Sequence, residues 1–142
     1  MRHLGLDLGS RRLGIALSDK GGVVAANYKV IHHNEEYERL VDEIVSIVRE
    51  EHVDKIVLGF PKNMNNTIGP KGELSIDFKK MLEERVDIPI VLQDERLTTK
   101  SALDVLIKGG VSRKKRKDVV DSLAATIILQ TYLDRGGKDE EE

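Results

Sequence analysis

Three acidic residues stand where acids need a reason. Asp7 interrupts the alternating run Leu4-Gly-Leu-Asp-Leu-Gly9, and strands are depleted in Asp. Glu95 follows the apolar segment Pro89-Ile-Val-Leu-Gln93, with Asp94 before it and Arg96 after it. Asp121 opens the long apolar pattern of Leu123, Ala124, Ile127 and Ile128. If the chain draws these acids into one volume, each like-charge pair at ~4 Å costs ~4 kcal/mol at an effective dielectric of ~20. Such a cluster persists only with bound cations or raised pKa values. All-oxygen ligation selects a hard ion, Mg²⁺ or Mn²⁺. Two such ions ~3.5–4 Å apart would clamp the attacking and leaving oxygens of a phosphodiester.

The cations point the same way. Between residues 96 and 117 stand eight Lys/Arg and a single acid, Asp104, in a chain of net charge −2. An anion-binding surface must therefore be local. Arg113, Lys114, Lys115, Arg116 and Lys117 are consecutive, and beside Asp121 they would hold a polyanion through its phosphates, without sequence specificity. Each feature also has a structural reading. Asp7 could be a surface acid near a turn, Glu95 an ion-pair partner, Asp121 a first-turn residue favoured by the helix dipole, and the basic run a solvated face. Asp94 competes with Glu95, because one residue of slip turns a side chain to the other face.

The elements that must position these residues follow from periodicity. Leu4, Leu6 and Leu8 alternate in a first strand, and Leu13, Ile15 and Leu17 in a second. Gly9-Ser-Arg-Arg12 is the turn between them, and Gly5 and Gly9 leave Asp7 with open space beside it. Residues 23–32 read as a third strand, completing an antiparallel meander. Asn34 is the expected N-cap of a helix whose core face carries Tyr37, Leu40, Val41, Ile44, Ile47 and Val48. Residues 55–60 read as a buried parallel strand. The Asn/Gly/Pro-rich segment 62–72 is a long loop at its carboxyl end, where α/β folds bind ligands. A helix over 73–85, a strand over 89–93, a helix from Thr98 or Thr99 to Lys108, and a last helix from Asp118 complete the order β-β-β-α-β-α-β-α-α. The fold class is α/β: a five-stranded mixed sheet, three antiparallel strands then two parallel, with helices on both faces. Residues 1–138 form one domain, and residues 139–142 an acidic, disordered tail.

Composition excludes several classes. With 142 residues, 39% hydrophobic and 34% charged, the chain is a globular domain with a heavily charged surface. It has no Cys, so no disulfide or Cys-based zinc site, and its four His lack i, i+4 pairing. No apolar run reaches membrane length and no signal peptide is present, so the expected location is cytoplasmic. No Gly-x-x-x-x-Gly-Lys-Ser/Thr phosphate loop occurs.

Four motifs carry a resemblance that covers nearly the whole chain: Asp7-Leu-Gly-Ser-Arg-Arg-Leu-Gly, Gly59-Phe-Pro-Lys-Asn-Met with Gly69-Pro, Asp94-Glu-Arg-Leu-Thr-Thr, and Lys117-Asp-Val-Val-Asp-Ser-Leu-Ala-Ala. In this order they resemble the YqgF family, Holliday-junction-resolvase-like proteins of the RNase H-like superfamily. The resemblance implies an RNase H-like fold and a nuclease that matures the 5′ end of precursor 16S ribosomal RNA. It implies that Asp7, Glu95 and Asp121 are the catalytic, metal-binding acids, and that Arg12, Arg96 and Lys117 are the nearby cations. Three alternatives differ in class. One is a resolvase of branched DNA, which would need two active sites and hence a homodimer rather than a monomer. Another is a non-catalytic binder of RNA or of ribosomal particles, indifferent to chelator. The last is an actin-like or sugar-kinase ATPase, which would need a longer chain.

Overall fold

The computed structural model describes residues 1–61, 68–94 and 113–136, with side chains in the last stretch from residue 123 onward. The strands are β1 (His3–Leu8), β2 (Arg12–Ser18), β3 (Ala25–His32), β4 (Lys55–Phe60) and β5 (Ile90–Asp94). The helices are α1 (Tyr37–Glu50), α2 (Pro70–Glu83) and α3 (Arg113–Asp134). The sheet order is β3-β2-β1-β4-β5. β1 pairs antiparallel with β2, which pairs antiparallel with β3; β1/β4 and β4/β5 are parallel. This is the expected mixed sheet.

Strand alternation divides the sheet into two packed faces. Leu4, Leu6, Leu13, Ile15, Ile56 and Leu58 point to one side. They pack against Leu40, Val41 and Ile44 of α1 and Phe78 and Leu82 of α2. Each such side chain contributes ~1.5–3 kcal/mol by leaving water. On the other side Ala16 and Val57 meet Ala125, Ile128, Leu129 and Tyr132 of α3. Helices therefore cover both faces, as expected. No helix among the described residues is long and apolar enough to cross a membrane.

Three helix starts differ from expectation. Asn34 does not cap α1. The cap position is Glu36, with no side-chain cap bond, and the Asn34 Oδ1 instead accepts from Arg11 Nη1 at 2.9 Å. A tertiary contact has taken the capping side chain. α2 starts at Pro70 rather than residue 73, because proline's fixed φ and missing N–H suit a first helical position. α3 starts at Arg113 rather than Asp118. Arg and Lys are good helix formers, so the basic run winds into the helix it was expected to precede. The predicted helix over 98–108 and the acidic tail lie outside the described residues, as does residue range 62–67 of the predicted loop.

Candidate active site

Asp7 lies at the carboxyl end of β1, half-buried. It shares its face with Gly5, and that face is the one α3 covers. A Cβ added at Gly5 would stand 2.7 Å from Leu129 Cβ and 3.1 Å from the Ala125 carbonyl oxygen. The space beside Gly5 is thus filled by the helix, and at Gly9 a Cβ would meet the Arg12 carbonyl oxygen at 2.9 Å. Neither glycine leaves the open ground that the sequence suggested. The cross-strand partner of Asp7 is Gly14.

α3 runs antiparallel to β1. Tyr132 lies at the amino ends of the parallel strands, its ring 5.9 Å from that of His3. Its hydroxyl accepts a hydrogen bond from Lys55 Nζ at 2.8 Å. Ala125 and Leu129 lie over Gly5. Asp121 occupies the helix position one turn before Ala125, in the helix interior rather than in its first turn. Two residues along β1 advance ~6.6 Å and four along a helix ~6 Å. The step from Gly5 to Asp7 therefore matches the step from Ala125 to Asp121 in length and direction.

The same arithmetic locates the basic run. From Ala125 back to Lys117 the helix covers ~12 Å, and a further turn carries it to Arg113. β1 extends only ~10 Å from Gly5 to Leu8. Arg113, Lys114, Lys115, Arg116 and Lys117 thus occupy helix positions at and beyond the carboxyl ends of β1 and β4. Cations in the first turns oppose the helix dipole, so dipole complementarity does not account for them. Arg12 opens β2 on the same face as Gly14 and Ala16, and so on the same face as Asp7.

At the other side of the sheet β5 ends at Asp94. Asp94 is in register with Phe60 and two residues from Leu92, which places it on the face of α1 and α2, opposite Asp7. Its neighbour Gln93 is buried on the α3 face and accepts from Arg135 Nη1 at 3.0 Å. Glu95 and Arg96 lie outside the described residues. Among the described residues no group of three His, Cys, Asp or Glu side chains converges. Asp7 is the described member of the predicted acidic set, and its carboxylate suits a hard oxygen-seeking cation.

Sequence reasoning missed the support beneath this corner. The β1–β2 turn is closed by Gly9 N–H to the Arg12 carbonyl at 2.8 Å. It is held from the β3–α1 connection by His33, which is buried. Periodicity carries no signal for such a long-range contact.

Residues 1–135 match the family model described as "RuvX: Holliday junction resolvase". A Bacillus subtilis (strain 168) protein named "Putative pre-16S rRNA nuclease" is 52% identical over 135 residues, covering 94% of this chain and 98% of that one. A protein of the same name from Listeria monocytogenes serotype 4b (strain CLIP80459) is 50% identical over the same shares. Among solved structures, Thermus thermophilus RuvC aligns with a TM-score of 0.59 at 15% identity, over 98% of this chain and 99% of that one. T. thermophilus RuvC in complex with Holliday junction substrate aligns at 0.62 and 13%, over 98% of each chain. These likenesses show the fold, which is RNase H-like. The four sequence motifs, the strand order and a match over residues 1–135 have one explanation: this chain belongs to the RuvX family of Holliday junction resolvases, a family of nucleases.

Proposed function

We propose that this chain is a divalent-metal-dependent nuclease that hydrolyses phosphodiester bonds during 5′-end maturation of precursor 16S ribosomal RNA in the cytoplasm. The substrate rests on relatives half identical in sequence that carry that name. The chemistry rests on one structural observation: Asp7 and the helix position of Asp121 lie at the same level on one face of the sheet. Asp7, Asp121 and Glu95 would hold Mg²⁺ or Mn²⁺, at a site for two ions. Glu95 takes this role rather than Asp94, because the register turns Asp94 to the opposite face. A bound ion supplies Lewis acidity toward a phosphoryl oxygen. Asp7 would hold that charge at the carboxyl end of β1. Arg12 and Arg96 orient the phosphate being cut, and Arg113, Lys114, Lys115, Arg116 and Lys117 hold the strand beyond it. Phosphate contacts of this kind position the substrate without reading its bases.

The test sets a precursor 16S RNA fragment beside a four-way DNA junction, each with Mg²⁺ or Mn²⁺. The parent should cut the RNA, and Asp7→Asn should lower the rate at least ~10³-fold while keeping its circular dichroism spectrum. Cutting of the junction alone would reassign the substrate to branched DNA. Full cleavage by the Asp7→Asn variant would refute the site.

A further inference from the structure

We infer that His33 is a positioning residue for the Asp7 site: its imidazole locks the β1–β2 turn and thereby sets Asp7 against Arg12. The inference rests on the active-site reading above.

His33 leaves β3 and is only 5% exposed. Burying an imidazole is costly unless its nitrogens are partnered, and here both are. The backbone N–H of Glu35 donates to His33 Nδ1 at 3.0 Å. A backbone N–H can only donate, so Nδ1 is the acceptor and the ring proton sits on Nε2. Nε2–H then donates to the Gly9 carbonyl at 2.9 Å. The Glu35 bond holds a strained residue, since Glu35 has φ +67° and side chains other than glycine's rarely sit there. The strain is maintained where it orients the ring.

The turn receives two further ties from the same segment and makes one of its own. His33 N–H donates to the Arg11 carbonyl at 2.9 Å, and the turn closes on itself through Gly9 N–H to Arg12 O at 2.8 Å. Arg11 Nη1 donates to Asn34 Oδ1 at 2.9 Å. Gly9 is two residues from Asp7, and the turn ends at Arg12. The tie from Nε2 therefore acts on the short segment that joins a metal-binding carboxylate to a phosphate-binding cation. Misplacement by ~1 Å at such a site can cost ~10²-fold in rate.

Two variants separate the two nitrogens. In His33→Gln the amide NH₂ reaches roughly where Nε2 stood, and can still donate to Gly9. In His33→Asn the amide oxygen sits near the Nδ1 position, and can still accept from Glu35 but no longer reaches Gly9. Both should lower the melting temperature to a similar extent. His33→Asn should lose 10- to 100-fold in kcat with KM changed less than 3-fold, whereas His33→Gln should stay within 3-fold of the parent in kcat. Equal kcat in both variants and the parent, with lowered melting temperatures, would reduce His33 to a structural role and overturn the inference. Should His33→Asn not fold, Asn34→Ala removes a tie to the same turn and should lower kcat by a smaller factor. Long-range ¹H–¹⁵N spectra of the intact protein should show the Nε2–H tautomer, and an Nδ1–H tautomer would overturn the geometry. A parent that cuts neither RNA nor junction refutes the active-site reading and the inference together, while an active parent with unaffected variants refutes only the inference.

Discussion

Gly5→Ala tests the contact that seats α3 on the sheet. The new methyl would lie 2.7 Å from Leu129 Cβ, 3.1 Å from Ala125 O and 3.4 Å from Leu129 Cδ2. Ordinary carbon contacts are ~3.5–4.0 Å. Two of the three obstructing atoms belong to the backbone or sit at Cβ, so no rotamer change removes them. The helix must retreat by roughly 1 Å, and overpacking of this kind costs ~1–3 kcal/mol. Against it stands the smaller entropy of the unfolded chain, which stabilises an unstrained Gly→Ala by ~0.4–1 kcal/mol. The overpacking is the larger effect. The net loss is ~1–2 kcal/mol, or ~3–8 °C in melting temperature for a domain of this size. Urea denaturation and thermal melting followed by circular dichroism measure it. A cycle with Leu129→Gly, which deletes the obstructing Cβ, should show relief of ~1 kcal/mol or more relative to additivity. A Gly5→Ala variant as stable as the parent, or a coupling near zero, would refute the close seating of α3. The retreat would also shift the Asp121 position relative to Asp7, so cleavage should fall further than stability alone dictates.

The remaining two predictions use stability as the readout. His3 is buried, its Nδ1 has no hydrogen-bond partner among the described residues, and burial holds its pKa below the ordinary 6.5. The unfolded chain then binds more protons than the folded one as pH falls below 6.5, so the parent loses stability in that window and keeps it above. His3→Leu should lose less between pH 7.5 and 5 in urea titrations, and a parent–variant difference independent of pH would contradict the burial argument. Mg²⁺ at ~100 times its dissociation constant should stabilise the parent by ~2.7 kcal/mol. Asp7→Asn should lose most of that increment, and an equal rise in both proteins would place the ion elsewhere.

Much of the fold was legible because β1 and β2 alternate apolar residues at a period of two, β4 is a short continuous apolar run, and α1 repeats apolar residues at helical spacing. Periodicity reports which face is buried and says nothing of what covers it. Gly5 illustrates the limit: in the sequence it is an open place beside Asp7, and in the structure Leu129 and Ala125 of α3 pack directly over it. Asn34 had the chemistry of a cap, yet Arg11, far off in sequence, competes for its oxygen. The start of α3 was hidden because five consecutive cations mask the helical pattern, although each favours a helix. The acids were legible individually, and Asp7 and Asp121 could be placed relative to one another only through the pairing of Ala125 and Leu129 with Gly5. His33 could not be found from the sequence, since the partners of its ring nitrogens, at Gly9 and Glu35, are ordinary backbone groups.

The placement of α3 explains how residues far from the site could govern it. Gln130 binds the β3 edge, accepting from Ala25 N–H at 2.9 Å and donating to the Val23 carbonyl at 3.0 Å. Arg135 binds Gln93 of β5 at the opposite edge. Tyr132 meets His3 and Lys55 on the central strands. These anchors span the width of the sheet, and together with the Gly5 contact they lie between residues 125 and 135, in and just past the last turns of α3. They fix the helix in roll, height and direction. A straight helix so fixed transmits its orientation along its axis, and the axis leads from these anchors past Asp121 to the basic turns. Asp7 is held by the sheet and by its own turn. The distance between Asp7 and Asp121 is therefore a property of two rigid bodies pressed together at a glycine, and loop chemistry around the site need not set it.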